Sequence, residues 1–186
     1  MNAINDALER AANKRLHAYF ETLLWSESFY GLGEDGEDPL VIDGEDYESG
    51  TPLNEIPGCD YSDVPESILA EAREDLEAFA AQCLEALGID PFEKFDEYQV
   101  AHDFALSRNG HGAGFFDRGI YKIPTVEAPD QIMRLMKRKT YEGVSSDGET
   151  IDVGDALQDA AKTFGTHGLS VWQDEPNGPV HMESHS

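Results

Sequence analysis

The chain has 186 residues, of which 40% are hydrophobic, and a formal net charge of −25 at pH 7. This apolar content is enough for a single folded domain with its own core, and it argues against a disordered chain. No run of about eighteen apolar residues exists, which excludes a membrane-spanning helix. The N-terminal segment alternates charged and apolar residues, so we expect a soluble, cytoplasmic protein without a secretion signal.

The acidic residues are concentrated in one half of the chain. Residues 16–93 hold 21 Asp or Glu and one basic residue, Arg73, which accounts for −20 of the total charge. A field of this sign repels nucleic acid and anionic membranes and attracts basic protein surfaces. We therefore expect no direct contact with nucleic acid or membrane, and a partner with a basic surface. A merely solubilising surface and adaptation to a salty medium are the alternatives.

The first predicted elements are a helix and a long acidic loop. Apolar residues spaced three and four apart predict an amphipathic helix over residues 3–25. Over residues 26–64 this periodicity is lost and Gly, Pro and acidic residues dominate, which predicts a loop that is partly mobile or lies over the surface. No window has the spacing of an EF-hand calcium loop, so no metal site is expected there.

The second helix is predicted from Pro65, in its first turn, to Gly88, where an apolar stripe ends. Its acidic residues, including Glu71, Glu74 and Asp75, lie away from that stripe and form an exposed row of carboxylates. Successive turns place these groups about 5–6 Å apart along the axis. This spacing permits imitation of the phosphates of duplex DNA, although most acidic helices would share it.

Residues 102–119, HDFALSRNGHGAGFFDRG, form the densest cluster of polar residues and glycines in the chain. Residues 100–107 alternate as a strand does, and Asn109-Gly110 is a strong two-residue turn signal, so we predict a β-hairpin. Pairs of His102 with Asp117 and of Asp103 with Arg118 would hold it. A structural hairpin is the favoured interpretation, and the alternative is a ligand-binding or enzymatic site formed by His102, Asp103, Arg108, Asn109, His111, Asp117 and Arg118.

No specific chemistry is assigned to that segment. A serine or cysteine nucleophile does not share a predicted face with His102, and the glycine run lacks the Lys-Ser/Thr of a phosphate-binding loop. The two cysteines, Cys59 and Cys83, are not in a CxxC motif. We therefore predict no catalytic residue, no cofactor, no metal and no disulfide.

The remaining pattern completes the predicted fold class. Residues 120–153 look like an inserted segment and carry the basic cluster Arg134, Lys137, Arg138 and Lys139. A helix follows Gly154, and two strands flank a turn at residues 176–178. The prediction is one α+β domain over residues 1–186, in which a central hairpin and a C-terminal hairpin form a small antiparallel sheet against two or three helices.

The central segment resembles HDFWLTRNGHGAGFWDRG, the form that this stretch takes in a family of small uncharacterised bacteriophage proteins. The segments YFETLLWSES, DVPESILAEAREDLEAFAAQCLEAL and GDALQDAAKTFGTHGLSVWQDE are similar to further parts of that family. The chain departs from it at Ala105 and Phe116, which replace tryptophan, at Ser107, which replaces threonine, and over residues 120–153. The resemblance implies a phage setting, in which small proteins commonly antagonise enzymes of the bacterial host.

In that setting the acidic surface predicts a protein that binds and antagonises a DNA-processing or defence protein in the host cytoplasm. It would present a phosphate-like array to a DNA-binding groove, and its binding would weaken steeply with salt. The residues assigned to this surface are Glu34, Asp35, Glu37, Asp38, Asp43, Glu45, Asp46, Glu71, Glu74 and Asp75. The alternative functions are small-molecule binding or catalysis by residues 102–118, and a protein-binding surface other than a DNA mimic.

Overall fold

The computed structural model describes residues 3–32, 36–138 and 143–185, and their side chains except those of residues 3–8 and Asp117. The fold is α+β, as predicted. The helices are α1 (Ala3–Ser26), α2 (Glu66–Leu87), α3 (Pro91–Lys94), α4 (Glu97–Arg108), α5 (Asp130–Met136) and α6 (Gly154–Lys162). The strands are β1 (Leu40–Ile42), β2 (Glu45–Tyr47), β3 (Lys122–Pro124), β4 (Ser145–Ser146), β5 (Thr150–Asp152), β6 (Gly168–Trp172) and β7 (His181–His185).

The described strands form three small antiparallel sheets rather than one. Their orders are β1–β2, β3–β5–β4 and β6–β7. The predicted C-terminal hairpin is confirmed as β6–β7, in which Gly168 pairs with His185 and Trp172 with His181. Its connecting loop turns at Asn177, which has a positive φ of 60°.

Helices α1 and α2 match their predictions closely. Helix α2 begins directly after Pro65 and ends at Gly88, whose φ of 75° allows its N–H to bond to the carbonyl of Leu84 at 3.0 Å. One stripe of α2 is buried: Ile68, Ala72, Leu76, Phe79, Cys83 and Leu87. The regular spacing of apolar residues therefore identified both the helix and its core-facing side.

The predicted central hairpin is wrong, because residues 97–108 form helix α4. The side chain of Asp96 caps the helix by accepting the N–H of Gln99 at 2.9 Å. The Asn-Gly step ends the helix instead of turning a hairpin. Gly110 has a φ of 70°, and the N–H of His111 bonds to the carbonyl of Leu106 at 3.2 Å, which is a Schellman C-cap.

Helix α4 was not predicted from the sequence because it lies in the centre of the fold, where other elements cover it. It packs against α1 and α6, and most of its circumference is buried. A helix surrounded by protein has no polar face, so the apolar period of 3.6 residues that marks a surface helix is absent. Over residues 100–107, apolar residues then alternate with other residues as they do in a β-strand.

The acidic loop of residues 26–64 contains a hairpin that turns at an Asx-Gly step. Strands β1 and β2 are joined by Asp43 and Gly44, with φ values of 53° and 81°. Positive φ at both turn residues is what a two-residue hairpin turn requires. The described part of the loop lies over the surface, anchored by buried side chains that include Leu40 and Leu53.

Residues 120–153 also contribute to the common core. Tyr121, Ile123, Ile132 and Ile151 are fully buried in the same cluster as the helices. The core is centred on aromatic rings, and Phe79 packs on the ring of Phe104 at 4.6 Å between centroids. None of the described helices is long and apolar enough to cross a membrane.

Candidate functional site

Arg108, one of the predicted ligand residues, is a buried structural hub. Its guanidinium donates to Oδ2 of Asp75 at 2.7 Å and to Oη of Tyr19 at 3.0 Å. It also donates to the carbonyls of Gly165 at 2.9 Å and Phe164 at 3.0 Å. Arg108 thus joins α4 to α1, α2 and the end of α6. Its guanidinium is engaged in hydrogen bonds within the fold.

Asn109 fastens α4 to the strand that follows α6. Its side-chain amide donates to the carbonyl of His167 at 3.1 Å and accepts the N–H of the same residue at 2.7 Å. The ring of His167 is buried, and its Nδ1 lies 2.7 Å from Oη of Tyr19. Both polar atoms of the Asn109 side chain therefore hold the backbone of His167.

Asp103 is fully buried at the centre of a second network. Its carboxylate accepts from Nε of Arg118 at 2.7 Å, from Oη of Tyr121 at 2.5 Å and from Nε2 of Gln99 at 3.0 Å. Burial and the hydrogen bond to Asp103 raise the pKa of Tyr121, so the phenol remains a proton donor. The predicted pair of Asp103 with Arg118 exists, but it joins a helix to a loop.

The predicted ligand residues do not converge on one site. Arg108 and Asn109 bond to the fold, while His111 lies on the surface with Nε2 3.9 Å from a carboxylate oxygen of Glu27. The side chain of Asp117 lies outside the described residues, so its predicted pairing with His102 has no observed counterpart. Among these residues, only His102 lines the cleft described below.

Among the glycines of the central segment, Gly114 is the one that close packing requires. Gly114 has a φ of 123°, and a Cβ there would overlap Oγ of Ser107 and lie 3.1 Å from Oε1 of Gln158. Ser107 itself donates to that amide oxygen at 2.5 Å. Gly114 thus lets the loop pack closely against α4 and α6.

We expect Gly114→Ala to lower the free energy of unfolding by about 2–4 kcal/mol, because both backbone strain and steric overlap oppose it. Gly112 is the matched control, since its φ is 70° and no atom lies within 4 Å of a Cβ built there. Gly112→Ala should lose only about 1 kcal/mol. Urea denaturation of both variants measures the difference, and equal losses would contradict this packing.

His167 gives the fold a pH dependence. Burial, reinforced by the nearby charge of Arg108, lowers the pKa of His167 below its ordinary value of 6.5, so the folded state favours the neutral ring. The unfolded chain binds a proton first as the pH falls. Stability from this group is therefore complete above about pH 6.5 and is lost progressively below it.

We expect this stability to fall as the pH drops from about 6.5 towards about 5.5, by at most about 1.4 kcal/mol per pH unit, which is the limit for one titrating group. His167→Asn is the control, because the amide oxygen can replace Nδ1 as the acceptor for Tyr19 and does not titrate. Urea midpoints at both pH values should converge for the wild type and the variant as the pH falls. A constant difference between them would show that His167 does not bind a proton in this range.

Most of the predicted acidic surface is exposed where its residues are described. Glu34 and Asp35 lie outside the described residues, and Asp75 is half-buried. The other seven predicted carboxylates are all exposed: Glu37, Asp38, Asp43, Glu45, Asp46, Glu71 and Glu74. Ion pairs with Lys or Arg in the described part of the chain involve only two acids of residues 16–93: Asp75 with Arg108, and Glu66 with Arg73.

Asp75 requires a correction, because it does not belong to a free surface. Its carboxylate pairs with the buried guanidinium of Arg108 at 2.7 Å and is only partly accessible. The sequence placed Asp75 correctly off the apolar stripe of α2. It could not show that a cation from α4 reaches that side of the helix.

The C-terminal hairpin brings the separate acidic segments together. The side chain of Gln173 bonds to the backbone of Val41, and that of Asn177 accepts the N–H of Gly44 at 2.9 Å. At the other strand, Ser184 donates to Glu71 at 3.1 Å. Strands β1 and β2 and the first half of α2 therefore flank the same hairpin.

The hairpin adds its own acids and no compensating base. Asp174 and Glu175 share a hollow with Asp38, and Glu183 is exposed on β7. No Lys or Arg occurs after Lys162. We call the following exposed residues the acidic face: Glu37, Asp38, Asp43, Glu45, Asp46, Asp63, Glu66, Glu71, Glu74, Glu77, Asp174, Glu175 and Glu183.

A cleft of about 670 Å³ opens between α1, the start of α4 and the loop of residues 54–61. From α1 it is lined by His17, Glu21 and Trp25, and from α4 by Tyr98 and His102. The hydroxyl of Tyr98 donates to Oε2 of Glu21, and this bond raises the pKa of Tyr98 to about 12. Oε2 also lies 3.3 Å from Nδ1 of His17.

His102 forms the inner edge of this cleft. Its Nδ1 lies 2.6 Å from Oγ1 of Thr22, whose hydroxyl donates to the carbonyl of Ala18 at 2.7 Å. We therefore assign the proton between ring and hydroxyl to Nδ1. Burial lowers the pKa of His102, so the ring is neutral at pH 7.

The sequence analysis did not identify the cleft residues on α1. His17, Glu21 and Trp25 are spaced four residues apart, so they share a face of α1 away from its apolar stripe. An aromatic residue on the polar face of a helix is a signal that the sequence already contained. The contributions of Tyr98 and of residues 54–61 depend on tertiary packing and had no such signal.

Comparisons with known proteins do not indicate a function for this chain. No family model, curated protein or solved structure matches the chain. Within the described residues, no group of three or more His, Cys, Asp or Glu is arranged to hold a metal ion. The exposed acidic face and the cleft are therefore the two features on which a functional assignment can rest.

Proposed function

We propose that this chain binds, through its acidic face, a basic surface of a DNA-processing or defence protein. By occupying the DNA-binding site of that protein, it would antagonise its activity. The observation that carries the proposal is the acidic face itself, in which exposed carboxylates from three segments flank one hairpin and Arg73 is the only Lys or Arg of those segments. Charges of one sign, of which only Glu66 pairs with a Lys or Arg among the described residues, attract a basic groove over a distance of about 8–10 Å at physiological salt.

The fixed geometry of the face supports a mimic over a flexible acidic tail. Glu71, Glu74 and Glu77 project from one rigid helix, and the turn at Asp43 is held by Asn177. A preorganised array loses little conformational entropy on binding, whereas a disordered polyanion must be ordered first. The phage setting of the proposal comes from the resemblance of residues 102–119 to bacteriophage proteins.

Salt-dependent capture tests the proposal. The immobilised protein is exposed to a bacterial lysate depleted of DNA, and retained proteins are eluted with a salt gradient and identified by mass spectrometry. We expect a DNA-binding protein to be retained at low salt and released at moderate salt, because counterions displaced on binding compete as the salt rises. Retention of no such protein, or retention indifferent to salt, would overturn the proposal.

A ligand-binding or enzymatic role for residues 102–118 is the second candidate. Little supports this candidate, because the side chains of Asp103, Arg108 and Asn109 form hydrogen bonds within the fold. Of the predicted ligand residues, only His102 lines the cleft. The cleft is formed mainly by side chains of α1 that lie outside that segment. A ligand site is therefore best argued from the cleft itself.

A further inference from the structure

We propose that the cleft between α1, α4 and residues 54–61 binds an organic cation, namely a guanidinium group on a short alkyl stem. The cleft residues are separate from the acidic face, so this inference stands independently of the proposed function. Three features carry it: a positioned carboxylate, aromatic residues that line the same cleft, and the absence of Lys and Arg among the lining residues that the structure describes.

The carboxylate of Glu21 is held in place from one side. Its Oε2 accepts the hydroxyl of Tyr98 and lies near Nδ1 of His17. Its Oε1 has no hydrogen bond among the described contacts, and the side chain is nearly half exposed. The carboxylate is thus fixed in orientation with one oxygen left to accept from a bound donor, and a guanidinium supplies paired N–H donors in one plane.

Aromatic rings surround that carboxylate. Trp25 follows Glu21 by one helical turn and is 61% exposed, which is unusual for the largest apolar side chain. Tyr61 lies across the cleft and packs edge-on against His17 at 4.8 Å between ring centroids. The face of an indole or phenol attracts a cation within about 6 Å, and a guanidinium also stacks on such rings.

The remaining wall suits the alkyl stem and the positive charge. Leu24, Ile56 and Pro57 supply apolar surface, while Glu55 and Asp60 add negative charge at the loop. No Lys or Arg is among the described residues that line the cleft. An anionic ligand would meet three carboxylates with no counter-charge, so the electrostatics select a cation.

The test uses a matched pair of probes, n-butylguanidinium and the neutral n-butylurea, which share their shape and differ in charge. Each is titrated at millimolar concentration, the range expected for a ligand of this size, into the full-length protein. Two-dimensional ¹H–¹⁵N NMR follows the backbone amides and the indole N–H of Trp25. We expect saturable shifts at Glu21, Trp25, Tyr98 and His102 with butylguanidinium, and binding by butylurea at least about tenfold weaker.

A pair of variants distinguishes binding in the cleft from attraction to the net negative charge of the protein. Glu21→Gln should weaken butylguanidinium binding about tenfold, because it removes the ionic acceptor and keeps the shape. Glu85→Gln removes the same charge from an exposed position on α2 and should leave the affinity unchanged. Equal binding of both probes, shifts outside the cleft, no saturable shifts, or equal weakening by both variants would each overturn the inference.

Discussion

Replacing Arg108 with methionine is expected to lower the free energy of unfolding by about 3–5 kcal/mol. The substitution keeps an apolar stem of similar length but removes donors to Asp75, Tyr19 and two backbone carbonyls. Those two carbonyls would then lose their donor in a buried region, and Asp75 would lose its cation, while the phenol of Tyr19 would keep only its bond to His167. An unsatisfied buried polar group costs more than an exposed hydrogen bond contributes, and several are created together here.

Arg73→Met is the matched control for Arg108→Met. Arg73 also pairs with a carboxylate, that of Glu66 at 3.8 Å, but both side chains are substantially exposed. An exposed pair of this kind contributes about 0–1 kcal/mol. Urea denaturation of the two variants should therefore differ severalfold, and a loss below about 1 kcal/mol for Arg108→Met would refute its role as the hub of the fold.

Reversing Glu71, Glu74 and Glu77 to lysine together is expected to abolish retention of the DNA-binding partner at low salt. Like charges across a protein interface cost several kcal/mol, which corresponds to a weakening of about a hundredfold or more. These three residues are exposed on α2, and the only described side-chain bond among them is that from Ser184 to Glu71. The fold should therefore survive, with a melting temperature within a few degrees of the wild type.

Two further variants make this result specific. Reversal of Glu93, Glu149 and Asp159, which are exposed and lie outside α2 and the C-terminal hairpin, gives the same net charge and should preserve most of the retention. Asp75 is left unchanged in both variants, because its reversal would place a cation against Arg108 and unfold the protein. Equal loss in the two triple variants would show that net charge alone drives retention.

Two of the Asx-Gly steps, Asp43-Gly44 and Asn109-Gly110, show how far local sequence predicts this fold. Asp43-Gly44 turns a hairpin because β1 before it is apolar and β-branched, while Asn109-Gly110 caps a helix whose start is set by Asp96. The turn residues are similar, so the flanking segments determine whether the step forms a hairpin turn or a helix C-cap. A buried helix such as α4 lacks a polar face, so its identity depends on the elements that cover it.

The acidic face was largely predictable, because exposure of carboxylates follows from their charge. Its assembly was not, since the contacts of Gln173 with Val41 and of Ser184 with Glu71 join residues more than a hundred positions apart. The roles of Arg108 and His167 were likewise unpredictable. Arg108 was predicted only as a ligand residue and His167 was given no role, whereas their burial among Tyr19, Asp75 and Asn109 gives both of them structural roles.

Displacement by DNA tests the proposed mimicry most directly. The captured partner is challenged at constant low salt with a duplex of about 20 base pairs, or with polyglutamate carrying the same total charge. A mimic occupies the groove that the duplex needs, so the duplex should release the partner at concentrations where polyglutamate does not. Failure of the duplex to release it, or equal release by polyglutamate, would contradict DNA mimicry by the acidic face.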